Sequence, residues 1–145
     1  MHPLIKRDME DIYSRRADWD IFDGKNVLLT GAYGMLASYI VYFLFYLKKE
    51  KNIDVTLTAV VRNKDKFYKK FRDLDSIDEC TVIESDLSQK LEISTAVDYI
   101  IHAASLASPQ YYSVCPVDVL QPNTIGNYNL LQLAKEKQVK GYLLF

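Results

Sequence analysis

The residues with the strongest chemical signature are Gly31-Ala32-Tyr33-Gly34-Met35-Leu36-Ala37. Two glycines and an alanine recur every third residue. They follow a short apolar run, Asn26 to Thr30, and open a long apolar one. A strand that turns tightly into a helix needs this pattern. Glycine at 31 permits the reversal. Glycine at 34 lets backbone approach a pyrophosphate, and a small residue at 37 lets the helix pack on the strand. Free amides and the helix dipole then hold phosphate oxygens. The backbone of Tyr33, Met35 and Leu36 falls within reach of the same group. The plainer alternative is a tight turn with no ligand. Strand before and helix after is the context that favours the binding reading. The spacing lacks the Gly-Lys-Ser/Thr of a nucleoside triphosphatase loop.

Further candidates lie at the ends of later strands. The second strand ends Val60-Val61-Arg62-Asn63-Lys64. An acidic residue there accepts the ribose 2′-hydroxyl of NAD, whereas an arginine accommodates a 2′-phosphate. No Asp or Glu occupies 61 to 63, and a guanidinium forks onto phosphate. Arg62 therefore leans the expectation within NAD(P) towards NADP. A solvated arginine at a strand end is the alternative. Ala103 and Ala104 are small where a ligand would lie on the sheet's carboxyl edge. His102 reads as a core histidine paired with backbone. Asn123 reads as a residue that orders the same edge through amide bonds to backbone.

The elements that must place these residues alternate. Strands are expected over 26–30, 54–61, 80–84, 98–103 and 140–145. Helices are expected over 34–49, 64–73 and 117–137. Strand–helix alternation implies a mostly parallel sheet with right-handed crossovers. The fold class is α/β, a doubly wound, Rossmann-like sheet of about five strands. An amphipathic N-terminal helix precedes it, with Ile5, Met9, Ile12, Tyr13 and Arg16 at helical spacing and Pro3 in its first turn. Residues 1–24 read as this helix and a turn at Asp23-Gly24, and 25–145 as the NAD(P)-binding domain. Pro122 lies inside the expected helix 117–137, where proline removes an amide and clashes with the preceding turn. A kink or a late helix start is expected there.

Composition fits this picture. The 145 residues are 49% apolar and 26% charged, with a formal net charge of −1. No basic cluster suggests a nucleic-acid partner. Cys80 and Cys115 match no metal or redox spacing and read as reduced thiols, as in a cytoplasmic protein. The apolar stretch from Met35 to Leu47 is shorter than the ~20 residues that a membrane span needs. No signal-peptide pattern opens the chain.

Thr30-Gly31-Ala32-Tyr33-Gly34-Met35-Leu36-Ala37 resembles the Thr-Gly-x-x-Gly-x-x-Gly/Ala fingerprint of the extended short-chain dehydrogenase/reductase family. Asp86-Leu87, the strand Asp98 to Ala104, and Asn123-Thr-Ile-Gly126 with Leu130-Leu131 and Ala134-Lys135 resemble its later markers. The stretch from His102 to Lys135, with Ala107-Ser108-Pro109 and Tyr112, is most similar to UDP-glucuronate decarboxylases, then to dTDP-glucose 4,6-dehydratases. The resemblance implies an NAD(P)-dependent sugar-nucleotide epimerase, dehydratase or decarboxylase. It implies that Asp86 bonds the adenine amino group beside the Leu87 amide, with a turn aspartate as the alternative. It implies that Ser108 and Tyr112 face the sugar nucleotide, and that the helix 117–137 joins a homodimer. Arg62 departs from the aspartate of the decarboxylases. The family's chemistry also needs an upstream Ser or Thr and a Tyr-x-x-x-Lys pair. None of the eleven tyrosines has a lysine four residues on. The resemblance therefore implies a cofactor-binding N-terminal part, inactive by itself. A stand-alone NADP-sensing or scaffolding domain is the alternative.

Overall fold

The computed structural model describes residues 1–15, 18–106 and 108–145. Arg16 and Ala107 lie outside them. The central strand is β1 (Lys25–Thr30), whose last four residues are buried. Its side chains alternate between two cores. Val27 and Leu29 join one, and Leu28 joins the other. A strand buried on both faces is the mark of a covered parallel sheet. β2 (Val55–Val61), β3 (Thr81–Glu84), β4 (Tyr99–His102) and β5 (Gly141–Leu144) complete it. The order is β3-β2-β1-β4-β5, with every pairing parallel. The chain thus winds outward in both directions from β1, and the reversal falls between β1 and β4. Ligand crevices open at that point in such sheets.

α2 (Met35–Glu50) carries one core. Residues 41–47 are all buried, so the helix is enclosed rather than amphipathic. Its inner side packs on the sheet. Its outer side is covered by α1 (Pro3–Ser14) and the turn Trp19–Phe22. Met9 of α1 is fully buried, and Trp19 stands edge-on to Phe43 at 4.7 Å between ring centres. His2 caps α1, its Nδ1 accepting the Leu4 N–H at 3.2 Å.

α3 spans only Lys64–Lys70, three residues short of expectation. The chain leaves the helix at Phe71, where φ is −105° and ψ 21°. That bend lets Phe71 and Leu74 enter the core, and Phe71 meets Tyr42 edge-on.

The expected helix 117–137 is interrupted. It comprises α5 (Pro116–Gln121), a π-helical turn at Pro122–Gly126, and α6 (Asn127–Lys137). The break has the expected cause, since Pro122 offers no N–H to the preceding turn. A short helix that the sequence reading did not anticipate, α4 (Pro109–Val114), comes before it. In α6, Leu130 and Leu133 are buried while Leu131 faces outward.

Candidate functional site

The turn from β1 to α2 is built around Gly31, which has φ +66°. L residues adopt this conformation only with strain. The space is also closed. A Cβ on Gly31 would lie 2.8 Å from the Ala103 carbonyl oxygen and 2.8 Å from Ala104 Cα. The turn is therefore pressed against the end of β4. Gly34 then caps α2, and its carbonyl receives the Ser38 N–H at 2.8 Å. The amides of Met35, Leu36 and Ala37 have no partner within the helix. They form a positive end at the sheet's carboxyl edge. The side chains of Met35 and Leu36 point to solvent, at 80% and 59% exposure. Any contribution of these two residues to anion binding is through the backbone.

Above this turn lies a cleft of about 290 Å³. Gly31, Tyr33 and Gly34 of the turn line it, together with Arg62, Asp86 and Leu87 from the ends of β2 and β3. Ala103 and Ala104 border it near β4. Eight of the residues expected at a cofactor thus share one cavity. Ser108 and Tyr112 do not line it. Ser108 precedes α4, and Tyr112 is 56% exposed on that helix.

Val60, Val61, Ser85, Ser105, Leu106, Asp118, Gln121 and Pro122 also line the cleft. The sequence reading did not name them as site residues. Val60 and Val61 follow from the rule that β2 ends at the crevice. Asp118 and Gln121 are three apart on α5, so one face of the helix presents both. That spacing was visible, but not which face would turn inward.

The charged residues are held differently. Arg62 is exposed and makes no ion pair among the described residues. Its neighbours are fixed instead. Asn63 Oδ1 accepts the Lys66 N–H at 2.7 Å, and Glu84 accepts the Lys64 N–H at 2.8 Å. Asp86 Oδ1 accepts the Ser88 N–H at 2.9 Å, a turn contact, while the residue still borders the cleft. Leu87 is buried, and its carbonyl receives Asn129 Nδ2 at 2.9 Å. A Cβ on Gly126 would stand 3.0 Å from Leu87 Cβ. The π-turn and the Asp86-Leu87 loop are thus in close contact.

Below the cleft, Thr30 and His102 are register partners across β1 and β4. Thr30 Oγ1 accepts the N–H groups of Ala103 and Ala104, each at 3.2 Å. His102 is buried, with Nδ1 2.8 Å from Thr30 Oγ1 and Nε2 3.0 Å from the Pro122 carbonyl oxygen. Burial lowers its pKa from the ordinary histidine value, against the opposing pull of the Pro122 carbonyl. Asn123 Nδ2 donates to the Val119 carbonyl at 2.9 Å and to Ser105 Oγ at 3.0 Å. Among the described residues no group of three or more His, Cys, Asp or Glu could hold a metal. Cys80 donates to the Ile77 carbonyl, and burial pushes its thiol up to about 11.

The arrangement suits a nucleotide with a pyrophosphate. The free amides of α2 follow directly on Gly34, which lines the cleft, and the turn has no room for a side chain at Gly31.

The family model for the NAD dependent epimerase/dehydratase family matches residues 27–145. The chain belongs to the NAD dependent epimerase/dehydratase family. It is 33% identical over 114 residues to UDP-glucuronic acid decarboxylase 1 of Danio rerio, covering 78% of this chain and 25% of that protein. It is 32% identical over 109 residues to UDP-glucuronic acid decarboxylase 3 of Arabidopsis thaliana, covering 75% of this chain and 30% of that one. The chain thus spans under a third of the length of these relatives. Among solved structures, the fold matches a dTDP-glucose 4,6-dehydratase of Streptomyces venezuelae with NAD bound. The TM-score is 0.67 at 18% identity, over 81% of this chain and 38% of that one. An epimerase of Methanothermobacter thermautotrophicus matches over 99% of this chain and 39% of its own, with TM-score 0.68 and 17% identity. These two likenesses speak for the epimerase/dehydratase fold. The second spans nearly the whole chain, α1 included. No helix among the described residues is long and apolar enough to cross a membrane.

Proposed function

We propose that these residues hold the dinucleotide of a sugar-nucleotide epimerase, dehydratase or decarboxylase. The observation that carries the reading is one cleft lined both by the glycine turn, through Gly31, Tyr33 and Gly34, and by Arg62, Asp86 and Leu87, with the free N-terminal amides of α2 directly after Gly34. In this reading the amides and Gly34 bind the pyrophosphate. Asp86 and the Leu87 amide meet the adenine, and Ala103 and Ala104 leave room for the rest of the cofactor. A dinucleotide held by these residues would supply hydride transfer to and from a sugar carbon.

Arg62 inclines the choice within NAD(P) to NADP, because an exposed guanidinium that makes no ion pair among the described residues suits a 2′-phosphate. The part of the reaction assigned to these residues is cofactor holding. The named relatives suggest a nucleotide sugar as substrate, with Ser108 and Tyr112 on its side of the cofactor. The outward residues Leu120, Ile125, Tyr128 and Leu131 of the 117–137 segment support a homodimer through that face. Light scattering should then show a concentration-dependent mass.

A second reading is a domain that senses NADP without catalysis, which uses the same cleft. Thermal unfolding with added NADP and NAD tests the binding that both readings share. Ligand that binds only the folded chain raises the midpoint by mass action. A rise with NADP exceeding that with NAD is expected. No rise with either dinucleotide contradicts the reading.

A further inference from the structure

His102 is 1% exposed, and its imidazole bonds both Thr30 and the Pro122 turn. Its Nε2 faces the Pro122 carbonyl oxygen at 3.0 Å. A carbonyl oxygen only accepts, so Nε2 carries the hydrogen. The buried ring is neutral, which leaves Nδ1 as an acceptor. The Thr30 hydroxyl, 2.8 Å away, must then donate to it. A hydroxyl has one hydrogen to give and two lone pairs. Both lone pairs are used by the Ala103 and Ala104 amides. Every donor in this chain therefore points one way, from Ala103 and Ala104 to Thr30, to His102, to Pro122. Among the described residues no buried side-chain polar atom is left without a partner.

The far end of this chain depends on the π-turn. The Pro122 carbonyl accepts the Asn127 N–H, five residues on, and the imidazole as well. Pro122 lines the cleft, and so does Gly31, which follows Thr30. The other described link from the end of β4 to the π-turn is Asn123 to Ser105, which lies at the surface.

We propose that His102, as the neutral Nε2–H tautomer, is a positioning residue that sets the gap between the glycine turn and the proline turn. The proposal rests on the dinucleotide reading for its effect on binding. Its geometry is independent of that reading. His102 touches no ligand in this scheme. It acts by fixing which way the Thr30 hydroxyl points and how far the Pro122 turn stands from β1.

Long-range nitrogen–proton correlation spectra of the labelled chain at pH 7 report the tautomer directly. The expected pattern has Nε2 protonated and Nδ1 bare. A protonated Nδ1, or a charged ring, overturns the proposal. Two variants divide the role. His102→Asn keeps an acceptor near Thr30 but loses reach to Pro122. His102→Gln keeps a donor towards Pro122 but loses the acceptor. Amide exchange at Ala103 and Ala104 should quicken in H102Q and stay slow in H102N. Affinity for the dinucleotide should fall by about tenfold in both, measured on the folded protein, the usual scale for one lost buried hydrogen bond. Wild-type affinity in both variants, or equal exchange in both, overturns the proposal. If the unaltered chain binds no dinucleotide, the binding reading fails by itself, and the tautomer and exchange pattern still decide the role of His102. Should either variant not fold, the wild-type spectrum remains decisive.

Discussion

A Cβ placed on Gly31 would meet Ala104 Cα at 2.8 Å. The same residue has φ +66°. Two separate costs thus attach to Gly31→Ala, a left-handed backbone for alanine and a steric clash with β4. Together they predict a loss of roughly 2–4 kcal/mol. Gly24 is the control, with φ +64° and nothing within 4 Å of its added Cβ. Gly24→Ala should cost only about 1 kcal/mol. Denaturant unfolding of the two variants checks the difference. Equal losses would show that the close approach to β4 adds nothing.

Met9 tests whether α1 is integral to the fold. It is fully buried on the outer side of α2. Met9→Ala should destabilise the chain by about 2–5 kcal/mol, through lost transfer energy and a cavity. A single cooperative transition at lower denaturant is expected. A loss under 1 kcal/mol would mean that α1 is loosely attached.

Arg62 decides the proposed cofactor preference. Arg62→Asp should weaken NADP binding by roughly 10- to 100-fold, the range for a hydrogen bond to a charged group. It should leave NAD binding unchanged or improve it. Calorimetric titration with both dinucleotides reads this. Unaltered NADP affinity would place the guanidinium outside the site.

The pH profile follows from His102. Burial lowers its folded-state pKa below the ordinary value of 6.5. Between those two values the unfolded chain binds more protons than the folded one. Stability is therefore full above about pH 6.5 and declines as pH falls below it, until the folded-state pKa is reached. His102→Asn should abolish this part of the decline. Asp98 behaves separately. The Asn26 amide, and then Lys140, hold its pKa below the usual carboxylate value, so its contribution is lost only at more acidic pH. Melting temperatures from pH 7.5 to 4 in both proteins test the assignment.

Much of this architecture was legible in the sequence. The β1 turn could be read because glycine at 31 and 34 and a small residue at 37 serve local needs, and local needs leave local marks. The strands could be read because residues such as Val27-Leu28-Leu29 are apolar on both sides. The interrupted helix was foreseeable in kind from Pro122, but not as a π-turn, since that depends on how the freed carbonyls find new donors. The Thr30–His102–Pro122 chain was half visible. His102 looked like a core histidine paired with backbone, yet its partners lie 72 and 20 residues away. Asp118 and Gln121 could not be placed at the cleft because which face of α5 turns inward is decided by tertiary packing, which leaves no local mark in the sequence.

The cleft between the glycine turn and Arg62 is proposed to hold a dinucleotide. Titration of the labelled chain with NADP, followed by amide chemical shifts, tests it most directly. Saturable shifts are expected at Gly31, Gly34, Met35, Leu36, Arg62 and Leu87, with α1 unmoved. Saturable shifts confined to other surfaces, or no shifts with either NADP or NAD, would contradict it.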